Sequence, residues 1–75
     1  MNIITKAEAE AMLFDLLERT LVNESDICFL KNKIKDNPHS LPMKGIVYYY
    51  DGMKKKEITE KDKDILDTLM YFFGP

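Results

Sequence analysis

Cysteine, histidine and glycine are scarce in this 75-residue sequence, and each scarcity excludes a class of protein. Cys28 is the one cysteine, so the chain cannot form an internal disulfide. Together with the one histidine, His39, it offers too few ligands for a structural zinc site. The three glycines are scattered, so no glycine-rich loop is available to bind phosphate. We therefore expect neither a metal nor a cofactor.

Long apolar runs are also missing, and the start of the chain lacks the basic leader of a signal peptide. No segment approaches the roughly 20 apolar residues that a membrane span needs, so we expect no membrane association. A lone thiol without an export signal is typical of the cytoplasm. The length allows one domain over residues 1–75. So small a domain has a thin core, which makes homodimerisation a reasonable expectation.

No constellation of catalytic residues is visible, and we expect that the protein is not an enzyme and has no small-molecule substrate. His39 lies between prolines, with no acid motif to support a role as a base. Cys28 is expected to be an ordinary half-buried cysteine. Asp62, Asp64 and Asp67 alternate with lysines, which is typical of a solvated helix face stabilised by ion pairs.

Two helices are predicted in the first half of the chain. Thr5 followed by Glu8 forms a capping box, and apolar residues at helical spacing extend the first helix over about 5–21. Asn23 is a candidate cap for a second helix, which ends before Pro38. The run over 27–30 also fits a short strand. As helices, the two elements form a helical hairpin.

A β-hairpin is predicted next, after a proline-containing loop over 37–44. The segment 45–50, GIVYYY, is rich in β-branched and aromatic residues, and MKKKEIT follows it over 53–59. Asp-Gly between two extended runs is the usual signal of a type I′ turn. The pattern does not decide which face of this hairpin is buried. The lysine-rich return strand is predicted to be an exposed edge.

A final amphipathic helix is predicted from the capping pair Thr59 and Asp62 to the terminal Gly74-Pro75. The order of elements is therefore α-α-β-β-α, in an α+β fold. We expect the first and last helices to supply most of the core.

Charge is segregated along the chain, although the formal net charge is only −2. Residues 1–26 carry two basic and six acidic side chains, and residues 57–75 carry two and five. The middle segment, 27–56, carries seven lysines against two acids. A basic middle between acidic ends suggests a binding surface.

The first hypothesis is that this surface binds a protein partner, or the acidic ends of a second copy of the chain. Lysines supply the charge and tyrosines the contact area favoured at interfaces. The function would be that of a small regulator or inhibitor, resembling those encoded by bacterial genomes or mobile elements. The candidate residues are Lys31, Lys33, Lys35, Tyr48, Tyr50, Lys54, Lys55 and Lys56.

The alternative is nucleic-acid binding. The segment DGMKKKEITEKDKDIL, over 51–66, resembles the wing tip, return strand and following helix of winged-helix transcription regulators. The resemblance covers about a fifth of the chain and implies that Lys54, Lys55 and Lys56 contact the DNA backbone. A third interpretation is purely structural, with lysines protecting an edge strand and tyrosines in the core.

Overall fold

The computed structural model describes residues 4–74, and within this range the chain forms four α-helices and no strand. The predicted α+β fold is therefore wrong. Two predictions fall partly outside the described range. Residues 1–3 belong to the segment predicted not to be a signal peptide, and Pro75 belongs to the pair predicted to end the last helix. The helices are α1 Lys6–Thr20, α2 Glu24–Lys35, α3 Met43–Asp51 and α4 Glu60–Phe73.

Both predicted capping boxes are confirmed, at the starts of α1 and α4. The Glu8 amide donates to the Thr5 hydroxyl and the Thr5 amide to the Glu8 carboxylate, each at 3.1 Å. The corresponding distances for Thr59 and Asp62 are both 3.2 Å. Each box satisfies backbone amides that have no partner within the helix.

The second predicted helix is confirmed as α2, so the alternative of a strand over 27–30 is wrong. Asn23 is its N-cap, but the Asn23 side chain bonds no backbone amide and instead donates to the Asp26 carboxylate at 3.3 Å. Ile27, Leu30 and Ile34 are buried along one face, as their spacing predicts.

The segment predicted as the first strand of a hairpin is instead the helix α3. Met43, Ile46, Val47 and Tyr50 follow the i, i+3, i+4, i+7 pattern of a helix face. Three of these side chains are buried and Val47 is partly buried against the core. Burial of this face outweighs the weak strand preference of β-branched and aromatic residues.

Asp51-Gly52 ends α3 and does not form a hairpin turn. A type I′ turn requires positive φ, whereas Gly52 has φ −85° and ψ −6° and no residue in 4–74 has positive φ. The Gly52 amide donates to the Tyr49 carbonyl at 3.1 Å, and the Met53 amide to that of Tyr50 at 3.0 Å. Both bonds join residues three apart, so the last turn of α3 is tighter than an α-helical turn.

The predicted return strand, 53–59, is an irregular connection from α3 to α4 whose backbone pairs with the end of α1. The Val22 amide donates to the Lys54 carbonyl at 3.2 Å, and the Lys56 amide to the Thr20 carbonyl at 2.7 Å. These two bonds form one isolated antiparallel bridge. The prediction of a return strand is therefore wrong, and the backbone partner of this segment is the α1–α2 corner.

Each helix packs against two others, in the cyclic order α1, α2, α3, α4 and back to α1. The first three helices supply nearly all of the fully buried side chains, whereas α4 supplies one apolar residue, Leu69. The expectation that α4 dominates the core together with α1 is therefore wrong for α4. The buried apolar residues are Ala9, Leu13, Leu16, Leu17, Leu21, Ile27, Leu30, Ile34, Leu41, Met43, Ile46, Tyr50 and Leu69.

Candidate interaction surface

The three candidate lysines of α2 do not form one patch. Lys31 points toward α1, where it forms an ion pair with Glu18 and lies 5.4 Å from the centre of a phenylalanine ring. Lys33 points toward α3, with its ammonium 4.9 Å from the centre of the Tyr49 ring. Lys35 is exposed. Because α2 lies between α1 and α3, Lys31 and Lys33 occupy opposite flanks of the helix.

Lys55 is bound into the fold and is not available as a surface cation. Its ammonium donates to the carbonyls of Tyr50 and Met53 at 2.8 Å and of Asp51 at 3.2 Å. These carbonyls lie at the end of α3, where a positive charge also complements the helix dipole.

The neighbouring candidates Lys54 and Lys56 have exposed side chains, and their backbones form the bridge to the α1–α2 corner. The winged-helix resemblance requires these lysines on a β-hairpin. Since the preceding segment is α3, that hairpin does not form and the interpretation of the lysines as wing contacts is wrong.

Tyr50, the second candidate tyrosine, lies in the core at 1% exposure. Its hydroxyl is 2.7 Å from that of Thr20, which itself donates to the Leu16 carbonyl at 2.7 Å. The single Thr20 hydroxyl proton is thereby used, so Tyr50 donates to Thr20. Burial raises the pKa of the Tyr50 phenol. Tyr50 therefore contributes to packing and not to a binding surface.

The structure instead gathers four side chains on the outer side of the α2–α3 contact, which we call the aromatic–lysine surface: Phe29, Lys33, Tyr48 and Tyr49. The rings of Phe29 and Tyr49 meet edge to face with centres 5.1 Å apart, and those of Tyr48 and Tyr49 at 5.4 Å. The Lys33 ammonium is 5.2 Å from the Phe29 ring centre, in addition to its contact with Tyr49. Tyr48 is 76% exposed, and Phe29 and Tyr49 are about two-fifths exposed.

Sequence reasoning included Lys33 and Tyr48 but missed Phe29 and Tyr49. The i, i+4 spacing of Phe29 and Lys33 on a predicted helix was an available signal for their contact. Tyr49 joins this surface because α3 is a helix. In the predicted strand it lay on the opposite face from Tyr48.

A small cleft of about 110 Å³ adjoins the aromatic–lysine surface, between the end of α2 and the start of α3. A Cβ placed on Gly45 would meet nothing within 4 Å, so the approach over this residue is open. Pockets for drug-sized ligands measure about 300–1,000 Å³, and this cleft is suited to one small side chain. Its lining consists of Lys33, Asn37, Pro42, Gly45, Ile46 and Tyr49.

A polar contact joins α1 to α4 on the other side of the molecule. Arg19 donates to Asp15 at 2.7 Å and to Asp62 at 3.1 Å. Asp62 is 4% exposed, so the prediction that it belongs to a solvated face is wrong. The hydrogen bond from the Thr59 amide lowers the pKa of the Asp62 carboxyl, burial raises it, and the contact with Arg19 lowers it. The net result is a pKa below the usual value of an aspartate. The contact stabilises the fold.

The cysteine and the histidine considered for catalysis do not belong to the aromatic–lysine surface. Cys28 is exposed, contrary to the expectation of a half-buried thiol, and His39 is exposed in the α2–α3 loop. Within residues 4–74, no three histidine, cysteine or acidic side chains are placed to hold a metal ion. Tyr71 and Phe72 form a further exposed aromatic pair at the end of α4, with ring centres 5.2 Å apart.

None of the helices in the described part of the chain is both long and apolar enough to cross a membrane. The sequence matches no protein-family model, and no curated protein or solved structure is significantly similar to it.

Proposed function

We propose that this protein is a small regulator or inhibitor without enzymatic activity, which acts by binding a protein partner through the aromatic–lysine surface. The observation that carries the proposal is the cluster of three exposed rings, Phe29, Tyr48 and Tyr49, two of which, Phe29 and Tyr49, contact Lys33. Scattered exposed apolar residues are normal on any protein, whereas a contiguous aromatic group is characteristic of an interface.

The geometry of the cluster suits a protein partner. Tyrosine and phenylalanine offer large contact areas and have few rotatable bonds, so they lose little conformational entropy on binding. The edge-to-face contacts among Phe29, Tyr48 and Tyr49 restrict these rings before a partner arrives. The adjacent cleft accepts one projecting side chain, as in the anchor pockets of protein interfaces.

The proposed site of action is the cytoplasm. Cys28 is the chain's one cysteine and its thiol is exposed, a usage more typical of a reducing compartment than of the extracellular space.

A quantitative co-purification tests the proposal. Tagged wild-type protein is expressed in the cells that encode it, and captured proteins are compared with those captured by Tyr49→Ala. A partner retained by the wild type and lost with Tyr49→Ala is expected. Tyr71→Ala is the matched control, because it removes an exposed tyrosine on α4 and leaves the surface intact. Thermal melts by circular dichroism confirm that all three proteins are folded.

Equal capture by wild type and Tyr49→Ala would exclude this surface as the interface. A second assay separates a protein partner from nucleic acid. Fluorescence anisotropy of a labelled random DNA duplex at about 50 mM and about 200 mM salt should show no binding. Binding that collapses at the higher salt would instead indicate contacts with phosphate by the exposed lysines.

A further inference from the structure

The ammonium of Lys33 lies at the aromatic–lysine surface without a carboxylate partner. Lys31 on the opposite flank of α2 pairs with Glu18, and Lys63 on α4 lies 3.9 Å from Glu60. Among residues 4–74, no acidic side chain lies within the 4.0 Å that defines an ion pair with Lys33. Its positive charge is therefore available to an incoming group.

The surroundings of Lys33 hold that charge in a defined place. Contacts with the Phe29 and Tyr49 rings, at 5.2 and 4.9 Å, restrict the long side chain before any ligand binds. A carboxylate that meets a restricted lysine loses less of its binding energy to side-chain ordering. The ring faces also shield the ammonium from part of its water, which strengthens its attraction for an anion.

The same lysine lines the cleft, whose other walls include Ile46, Pro42 and the open Gly45. Ile46 is 1% exposed, so the base of the cleft is apolar. A group that fills the cleft and a group that pairs with Lys33 must therefore lie side by side on the ligand. The volume of about 110 Å³ limits the first group to a small aliphatic side chain.

Resting on the proposed function, we infer that the partner presents an acidic segment in which a carboxylate lies beside a small aliphatic side chain. The aliphatic group enters the cleft over Gly45, and the carboxylate pairs with the Lys33 ammonium. The partner's flanking residues pack on Tyr48 and Tyr49. The complementary charge and the apolar floor both favour this occupant over a basic or purely apolar segment.

Selection from a library of random linear peptides displayed on phage tests the inference. Peptides are selected on wild-type protein after removal of those that bind Tyr49→Ala. The expected result is enrichment of Asp or Glu next to Val, Ala or Leu. In an enriched peptide made synthetically, replacing the acid by its amide should weaken binding roughly tenfold or more, because a charge-assisted hydrogen bond is lost.

Charge reversal sharpens the test. Selection on Lys33→Glu should enrich Lys or Arg in place of the acid. Lys35→Glu is the matched control, since residues two apart on a helix point in different directions, and it should still enrich acids. Both variants change partly or fully exposed side chains, and circular dichroism shows whether they remain folded.

The outcomes distinguish the two proposals. Peptides that need Tyr49 but contain no enriched acid would overturn this inference and leave the proposed function standing. The absence of any peptide that depends on Tyr49 would overturn both. Analytical ultracentrifugation gives a third outcome. Self-association that is lost with Tyr49→Ala would mean that a second copy of the chain occupies the surface, and would overturn the inference of an acidic segment from a different protein.

Discussion

The α1–α4 contact with the neighbouring Tyr50, and the aromatic–lysine surface, both combine charged side chains with an aromatic group, but they differ in how fully these groups are paired. At the α1–α4 contact, Asp62 is buried and bonded to both Arg19 and its own helix cap. Nearby, the Tyr50 hydroxyl donates to Thr20 inside the core. At the aromatic–lysine surface, the rings remain partly in solvent and Lys33 has no acidic partner in the described chain.

The difference separates residues that hold the fold from residues available for binding. Charges and aromatics in the first region lie in contacts within the chain, so their loss should lower stability. In the second region they are only partly used by the fold, so their loss should affect binding more than stability. A change in a fully packed or bonded group should therefore cost more stability than a matched change where packing is incomplete.

The largest effect is expected from Leu69→Ala. Leu69 is the one fully buried apolar residue of α4, and its truncation leaves a cavity where α4 packs on the core. Such a change typically costs about 2–5 kcal/mol, a large share of the stability of a small domain. Urea unfolding monitored by circular dichroism measures the cost. Phe72→Ala on the same helix, where the ring is 38% exposed, should cost clearly less. Equal costs would show that α4 is oriented differently.

The acid dependence of stability comes next, because protonation of Asp62 weakens both the helix cap and the ion pair with Arg19. The pKa of Asp62 is lowered in the folded state, so its contribution is present above the unfolded value, about 3.9. This contribution is lost as the pH falls through the lower folded pKa. Wild-type stability should therefore decline below about pH 4.

Urea unfolding at a series of pH values checks this dependence, and Asp62→Asn should make the decline shallower. Asp67→Asn, on the exposed side of α4, should leave it unchanged. Some decline should persist in Asp62→Asn, because the Thr5 amide and hydroxyl also lower the pKa of Glu8. An identical acid profile for wild type and Asp62→Asn would contradict the role assigned to this carboxylate.

The starts of α1 and α4 could be predicted from sequence because their capping signals are local. Thr5 with Glu8 and Thr59 with Asp62 are complete within four residues, and both form as the spacing indicates. The start of α3 has no such signal, since its N-cap is Pro42 and no side chain caps it. The composition of the segment favoured a strand, and only packing against α2 and α4 decides for a helix.

The wrong prediction of a strand in place of α3 also explains why Tyr49 was not predicted at the aromatic–lysine surface. On a strand, Tyr48 and Tyr50 share a face and Tyr49 opposes them. On a helix, Tyr50 turns into the core, and Tyr49 turns toward α2 and meets Phe29. Lysine positions alone carried no information on pairing, so the ion pair of Lys31 and the carbonyl contacts of Lys55 could not be foreseen.

A moderate effect is expected from Thr59→Ala. The Thr59 hydroxyl accepts from the Asp62 amide at 3.2 Å, and loss of such a cap typically costs about 0.5–2 kcal/mol. Asn23→Ala is the matched control, because Asn23 occupies the same position on α2 and its side chain bonds no helix amide. Its cost in urea unfolding should be smaller. A larger cost for Asn23→Ala would mean that its side chain caps α2 in solution.

The smallest effect is expected from removing single hydroxyls in the row of tyrosines. Tyr50→Phe loses the bond to Thr20, and one such bond contributes about 0.5–1.5 kcal/mol. The cost should fall at the low end, since the Thr20 hydroxyl keeps its bond to the Leu16 carbonyl. Tyr48→Phe makes the same chemical change two residues away at a side chain that is 76% exposed, and urea unfolding should show no measurable change. If both variants unfold like the wild type, the buried hydroxyl adds nothing to the fold, and the contrast between the two regions rests on packing and charge alone.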